Sequence, residues 1–209
     1  MVCWNGRYFK TMNNDGQILV REYVDAALVF MAAHDLMRQH AIIVDAAMLD
    51  PSRFGFNEMG KWVTWKPIAS TATEADINEL EVAISHTFPT LYTELLMYLH
   101  FYELDDAAGI SFIMHNIKEW KAGLWEHYFF LQEPGTLRQQ GYIQFAYDPE
   151  LKPICFDFNH LTPDGQDCAV VRVLDSYQDP ASTQPLYESF FDLLLDLRAA
   201  QKQRDALDK

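Results

Sequence analysis

Positive charge is scarce in this sequence. Lys and Arg together number 16 against 30 Asp and Glu, a formal net charge of −14 over 209 residues. Such a chain repels nucleic acid and anionic membranes, both of which need local positive charge to approach phosphate. It attracts a basic partner through long-range steering, although acidity also serves solubility alone. Cysteine is nearly absent as well: Cys3, Cys155 and Cys168 are odd in number and none lies in a CxxC. They read as buried thiols of a reducing compartment, not as a disulfide framework, which points to the cytoplasm. The longest apolar run, Ala26 to Ala33, is far short of the roughly 20 residues that span a bilayer. Met1 to Arg7 holds no basic stretch leading into an apolar one, so no secretory leader is expected.

The motifs of common chemistries are missing too. There is no HExxH, no GxSxG elbow, no Walker loop and no GxGxxG. His100, Glu103, Asp105 and Asp106 cluster at an expected helix end, where a divalent ion is one reading and a solvated acidic turn the other. Cys155 lies near His160 but alternates within an apolar strand, which favours a packed thiol over a nucleophile. The aromatics from Trp120 to Phe130 suit a ligand pocket less well than core packing at helical spacing. No catalytic residue, metal or cofactor is expected, and the chain does not read as an enzyme.

What the sequence does have is the composition of a folded domain, with 49% hydrophobic and 14% aromatic residues. After an Asn13-Asn14-Asp15-Gly16 turn signal, a helix is expected over about Gln17 to Gln39, with Val20, Val24, Ala27, Met31 and Leu36 on one face. A short apolar piece from Ala41 to Leu49 stops at Asp50-Pro51, and Phe54 to Asn57 reads as loop. Thr73 to Asp76 is a capping-box-like start, followed by Ile77, Leu80, Ile84 and Phe88 in one stripe. Pro89 opens a second helix, expected to run from about Thr90 to Tyr102. Ile110 to Met114 reads as strand, Lys118 to Leu131 as helix, and Pro134-Gly135 as a bend. Three strands follow at Tyr142–Tyr147, Ile154–Phe158 and Cys168–Asp175, with short turns that favour antiparallel neighbours. A closing helix is expected to begin near Ser182-Thr183 with Pro185 in its first turn. The pattern is α+β, an antiparallel or mixed sheet flanked by helices. Residues 1–61 form an expected helical extension, 62–200 the main domain and 201–209 a charged tail.

The order of these landmarks resembles the SUKH superfamily. Trp65-Lys66-Pro67-Ile68 precedes TEADINELEVAI (Thr73 to Ile84) and FPTLYTELLMYLHFYEL (Phe88 to Leu104). Then come GISF from Gly109, Trp120, GYIQFAYD from Gly141, PICFDFN from Pro153, AVVRVLD from Ala169 and LYESFFDLLLDL from Leu186. The likeness covers about Trp62 to Arg198 and rests on order and spacing rather than on one motif. It departs from the pattern at the end of the second helix, where His100-Phe101-Tyr102 stands in place of a frequent Asn-Gly.

The resemblance implies a non-catalytic immunity protein that binds and occludes a cognate toxin. The chain's acidity makes the expected toxin a basic one, such as a nuclease. An intracellular regulatory or scaffold protein of the same fold is the alternative. By charge and expected exposure, the candidate contacts are Glu103, Asp105, Asp106, Asp148, Glu150, Asp157, Asp164 and Asp167. Reversing them should weaken association with a basic partner.

Overall fold

A computed structural model describes residues 14–53, 62–105, 109–175 and 179–207. The expected loop at Phe54 to Asn57, Cys3 and Asp106 lie outside the described residues. Helix α1 (Asn14–Ala33) begins earlier than expected and takes Asn14 to Gly16 into its first turn. Its buried stripe is Val20, Tyr23, Val24, Ala27 and Met31, while Leu36 lies beyond the helix and is exposed. Strand β1 (Arg38–His40) pairs antiparallel with β2 (Trp62–Thr64), and short 3-10 turns at Ala46–Met48 and Pro51–Arg53 lie between them in the chain.

Strand β3 (Ile68–Ala69) leads to helix α2 (Glu74–Ile84). The capping box forms as the sequence indicates: the Asp76 amide donates to Thr73 Oγ1 at 3.2 Å and the Thr73 amide to Asp76 Oδ2 at 3.1 Å. Helix α3 (Thr90–Tyr98) starts after Pro89 and stops one turn sooner than expected. The chain turns extended at Leu99, where β4 (Leu99–His100) pairs with β3. Phe101 then bridges to His115, with amide-to-carbonyl bonds of 2.9 and 3.1 Å in both directions. Tertiary pairing overrides the apolar spacing that suggested a longer helix.

The main sheet has six strands in the order β10-β9-β8-β7-β6-β5, and every neighbouring pair is antiparallel. Its strands are β5 (Leu104–Asp105), β6 (Ser111–Phe112), β7 (Tyr142–Tyr147), β8 (Pro153–Leu161), β9 (Cys168–Asp175) and β10 (Asp179–Tyr187). Between β6 and β7 stand α4 (Trp120–Phe129) and α5 (Gln132–Gln139). The expected bend at Pro134-Gly135 is therefore a helix start, since a proline in the first turn removes no helical hydrogen bond. The expected helix start at Ser182-Thr183 is a strand instead, and α6 spans Phe190–Leu207. Pro185 is tolerated because β10 pairs only with β9 and forms the edge of the sheet.

Alternation along the strands divides the interior. Ile143, Phe145, Ile154, Phe156 and Val170 join the main core, which includes side chains of α1, α2, α3 and α6. Tyr92 of α3 and Phe190 of α6 meet the Phe156 ring edge-on at 5.0 and 5.3 Å, and Phe145 stacks on it at 4.2 Å. On the other face Cys155, Val171 and Val173 form a smaller cluster beneath Leu137 of α5. Helix α1 lies against α3 and α6, and Gln201 Nε2 of α6 donates to the Tyr23 carbonyl at 3.3 Å.

Candidate partner-binding surface

The structure divides the eight candidate acids into internal and surface groups. Asp148 and Asp157 were expected to be exposed and are buried. Each closes a turn with its own carboxylate. Asp148 Oδ1 accepts from the amides of Glu150 at 2.9 Å and Lys152 at 2.8 Å, and its other oxygen lies 2.9 Å from Arg172 Nε, outside hydrogen-bond geometry. Asp157 accepts from the Asn159 amide at 3.0 Å and faces His160 Nδ1 at 2.7 Å. Backbone amides in tight turns need such acceptors, which is why these acids turn inward.

Asp167 is a helix cap. Its carboxylate accepts from the amides of Cys168 at 2.7 Å, Phe190 at 3.1 Å and Phe191 at 3.1 Å, so it holds the start of α6 against β9. Burial pushes its carboxyl upward while the three amides oppose that shift. Local sequence patterns miss this role because the cap lies far from the helix it serves. Replacing it, Asp167→Ala, is expected to cost about 2 kcal/mol, read as a lower denaturant midpoint with unchanged slope.

Of the remaining candidates, Glu103 and Asp105 come together at the β5 edge of the sheet, where β5 follows a strand and not a helix. Both are half-buried. Ser111 Oγ donates to Asp105, and Gln39 Nε2 donates to Glu103 at 3.3 Å. Burial, then the Asp105 charge, raises the Glu103 carboxyl. Glu150 is exposed in the β7–β8 turn and pairs with Lys152 at 2.7 Å. Asp164 is exposed in the β8–β9 turn, where it accepts from Thr162 Oγ1 at 2.8 Å and the Gln166 amide at 3.1 Å. These two turns lie at opposite ends of β8, about 30 Å apart at 3.3 Å per residue. The eight acids do not make one patch.

The chemistry weighed from sequence is placed just as definitely. Cys155 is fully buried, whereas the His160 side chain is exposed and bonded to Asp157. His100 is buried with both ring nitrogens engaged: the Thr71 amide donates to Nε2 at 2.9 Å, and Nδ1 meets the His115 carbonyl at 3.1 Å. It is a core histidine, turned away from solvent. Among the described residues no group of three or more His, Cys, Asp or Glu side chains is placed to hold a metal.

The surface feature that stands out is the shoulder where α4 passes into α5. The Trp125 and Phe129 rings stack at 4.9 Å, and the Arg138 guanidinium lies 4.5 Å from the Phe129 centroid. Beyond them Phe130 is 74% exposed and Leu131 46%. Trp120 and Tyr128 of the same helix point into the core, so the expectation of core packing holds for only part of this aromatic run. Beside the shoulder a cleft of about 250 Å³ runs between α4 and the segment after β6. Its apolar lining includes Ile113, Met114 and Leu131, and Glu119 and Glu126 stand over it.

A wider groove of about 470 Å³ lies between α1 and α6. Its charges are largely matched from within. Arg198 Nε meets Glu22 at 3.4 Å, Tyr98 donates to Asp25 at 2.9 Å, and Arg204 stacks 3.9 Å over Phe30. Exposed aromatic and aliphatic anchors beside desolvated pockets are what protein interfaces use, so the α4–α5 shoulder is the better candidate.

No helix among the described residues is long and apolar enough to cross a membrane. No curated protein matches the chain. The family model described as SMI1 / KNR4 family (SUKH-1) matches residues 71–196. That span runs from the residues before α2, through the whole six-stranded sheet, to the second turn of α6, and it covers more than half of the chain. The chain belongs to the SMI1/KNR4 family, SUKH-1.

Proposed function

We propose that the protein is a cytoplasmic, non-catalytic binding protein of the immunity type, which covers a basic toxin domain and so blocks it. Family membership is consistent with this role. The observation that carries the reading is the α4–α5 shoulder: Phe130 and Leu131 project from a chain of net charge −14, beside carboxylates that face solvent. Apolar anchors with a charged rim supply affinity from the centre and encounter rate from the edge. Within this reading residues 62–200 are the binding domain, residues 1–61 an extension whose helix α1 buttresses it, and residues 201–209 a tail.

The test is affinity capture of the tagged protein from its native lysate at low and high salt, followed by expression of each captured protein alone. One stoichiometric basic partner that is toxic alone and harmless when co-expressed supports the reading. Several regulatory or envelope proteins in its place, none of them toxic, would replace it with the scaffold role. Once the partner is in hand, Phe130→Ser is expected to weaken binding by about tenfold or more, at unchanged thermal stability. An unchanged Kd would remove the shoulder from the interface.

A further inference from the structure

Helix α4 carries a glycine in its interior that its own packing does not explain. Glycine is the least favoured residue inside a helix after proline. A Cβ built on Gly123 would meet nothing within 4 Å, so no neighbour in the chain demands its absence. Gly123 lines the small cleft and lies four residues after Glu119 and three before Glu126, which puts all three on one helix face. The missing side chain leaves a flat notch between two exposed carboxylates. The two lysines that flank Glu119 in sequence are committed elsewhere: Lys118 pairs with Asp45 at 2.8 Å, and Lys121 pairs with Asp76 and Glu79.

A third acceptor faces the same space. His127 lines the cleft and is 7% exposed. Gln144 Nε2 donates to the Ala146 carbonyl at 3.3 Å, which turns Gln144 Oε1 toward His127 Nε2 at 3.1 Å. The proton of His127 therefore sits on Nε2, which leaves Nδ1 as the acceptor of the ring. Burial keeps the ring neutral, pushing it down to about 4. Asn116 is held in place beside them: one N–H of its Nδ2 goes to Met114 sulfur at 3.2 Å, and its Oδ1 accepts from the Glu119 amide at 2.9 Å.

We propose that this cleft is the seat of an arginine side chain from the protein partner, its guanidinium lying flat over Gly123 between Glu119, Glu126 and His127 Nδ1. The two carboxylates and His127 Nδ1 are acceptors, and guanidinium brings five donors in a plane. The apolar lining from Ile113, Met114 and Leu131 suits a weakly hydrated cation better than the compact, strongly hydrated ammonium of lysine. The adjoining Phe130 and Leu131 give the arginine's apolar neighbours a place to land. This inference rests on the binding role proposed above and names the chemistry of its contact.

The test is an amide NMR titration of the full chain with acetyl-Leu-Arg-Leu-amide, and with the same peptide carrying lysine or citrulline. The largest shifts are expected at Gly123, Glu119, Glu126 and Leu131. Arginine should bind about fivefold or more tighter than lysine, and citrulline should not bind measurably. Gly123→Ala should raise the melting temperature by roughly 2–4 °C and weaken the arginine peptide at least fivefold, an opposition that a structural glycine would not show. Shifts centred on the α1–α6 groove or spread over all acids, an equal response to citrulline, or an unchanged Kd in Gly123→Ala would each overturn it. If a captured toxin binds Gly123→Ala as it binds the parent chain, this inference fails and the immunity role stands. If no toxin exists, that role fails while the peptide result is unaffected.

Discussion

Lowering the pH from about 7.5 to about 5 is expected to strip several kcal/mol from the fold. The cause is three histidines buried in the neutral form. His115 is fully enclosed, and burial and then the neighbouring His100 push it down to about 3. His127 is held at about 4 by burial, against the hydrogen bond that it gives to Gln144, and burial lowers His100 as well. The His100 and His115 rings meet edge-on at 4.6 Å, and His115 packs against Trp120 at 4.9 Å, so a proton here would enter an apolar aromatic stack.

The folded values lie below the unfolded value of 6.5. The unfolded chain therefore takes up protons first, and stability is complete above about pH 6.5 and lost as pH falls. His115 and His127 each account for about 2 kcal/mol at about pH 5. Glu103 and Asp167, whose carboxyls burial raises, act in the opposite sense. Guanidinium unfolding at several pH values reads the effect as a falling midpoint, with proton uptake on unfolding. A midpoint independent of pH between about 7.5 and about 5 would mean that the rings are not enclosed as described.

Removing the Phe156 ring is the most damaging single truncation expected. Phe156→Ala should cost about 3–5 kcal/mol, because the ring is fully buried among Tyr92, Phe145 and Phe190, which cannot all collapse into the space. Phe158→Ala is the control on the same face of the same strand. Its ring is half-buried and stacked on His86 at 4.4 Å, so the expected loss is about 1–2 kcal/mol. Equal losses from the two variants would show that the core is not centred on Phe156.

That contrast also shows how far the sequence can be read. Period-two alternation placed Ile154, Phe156 and Phe158 on one face of a strand, and the capping box at Thr73 located α2 within a residue. Alternation carries no information about depth, and burial separates Phe156 from Phe158. The errors arose where one local pattern suits two structures. Ser182-Thr183 followed by Pro185 reads as a cap and first turn, yet it serves equally on an edge strand. Leu99 continues the spacing of α3, but its backbone is claimed by β3.

The expected exposure of the candidate acids departs from the structure for a related reason. Charge in a loop suggests exposure, but Asp148, Asp157 and Asp167 face inward because turn and helix-start amides need acceptors. The cleft at Gly123 was not anticipated. Its one local signal is a glycine placed where the helix would prefer any other common residue, and the neutral His127 beside it is defined only by the distant Gln144.

The seating of α1 against α6 has a kinetic consequence. Tyr23, Val24 and Met31 are covered by elements that include the last helix of the chain, and Gln201 binds the Tyr23 carbonyl across a separation of 178 residues. Contacts of such long range raise contact order and slow the search for the native state. A ribosome adding roughly 5–20 residues per second keeps α1 waiting for many seconds before α6 emerges. Through that interval the apolar stripe of α1 is open to chaperones and to neighbouring nascent chains, so the yield of folded protein is set as much by the rate of synthesis as by the stability of the finished core.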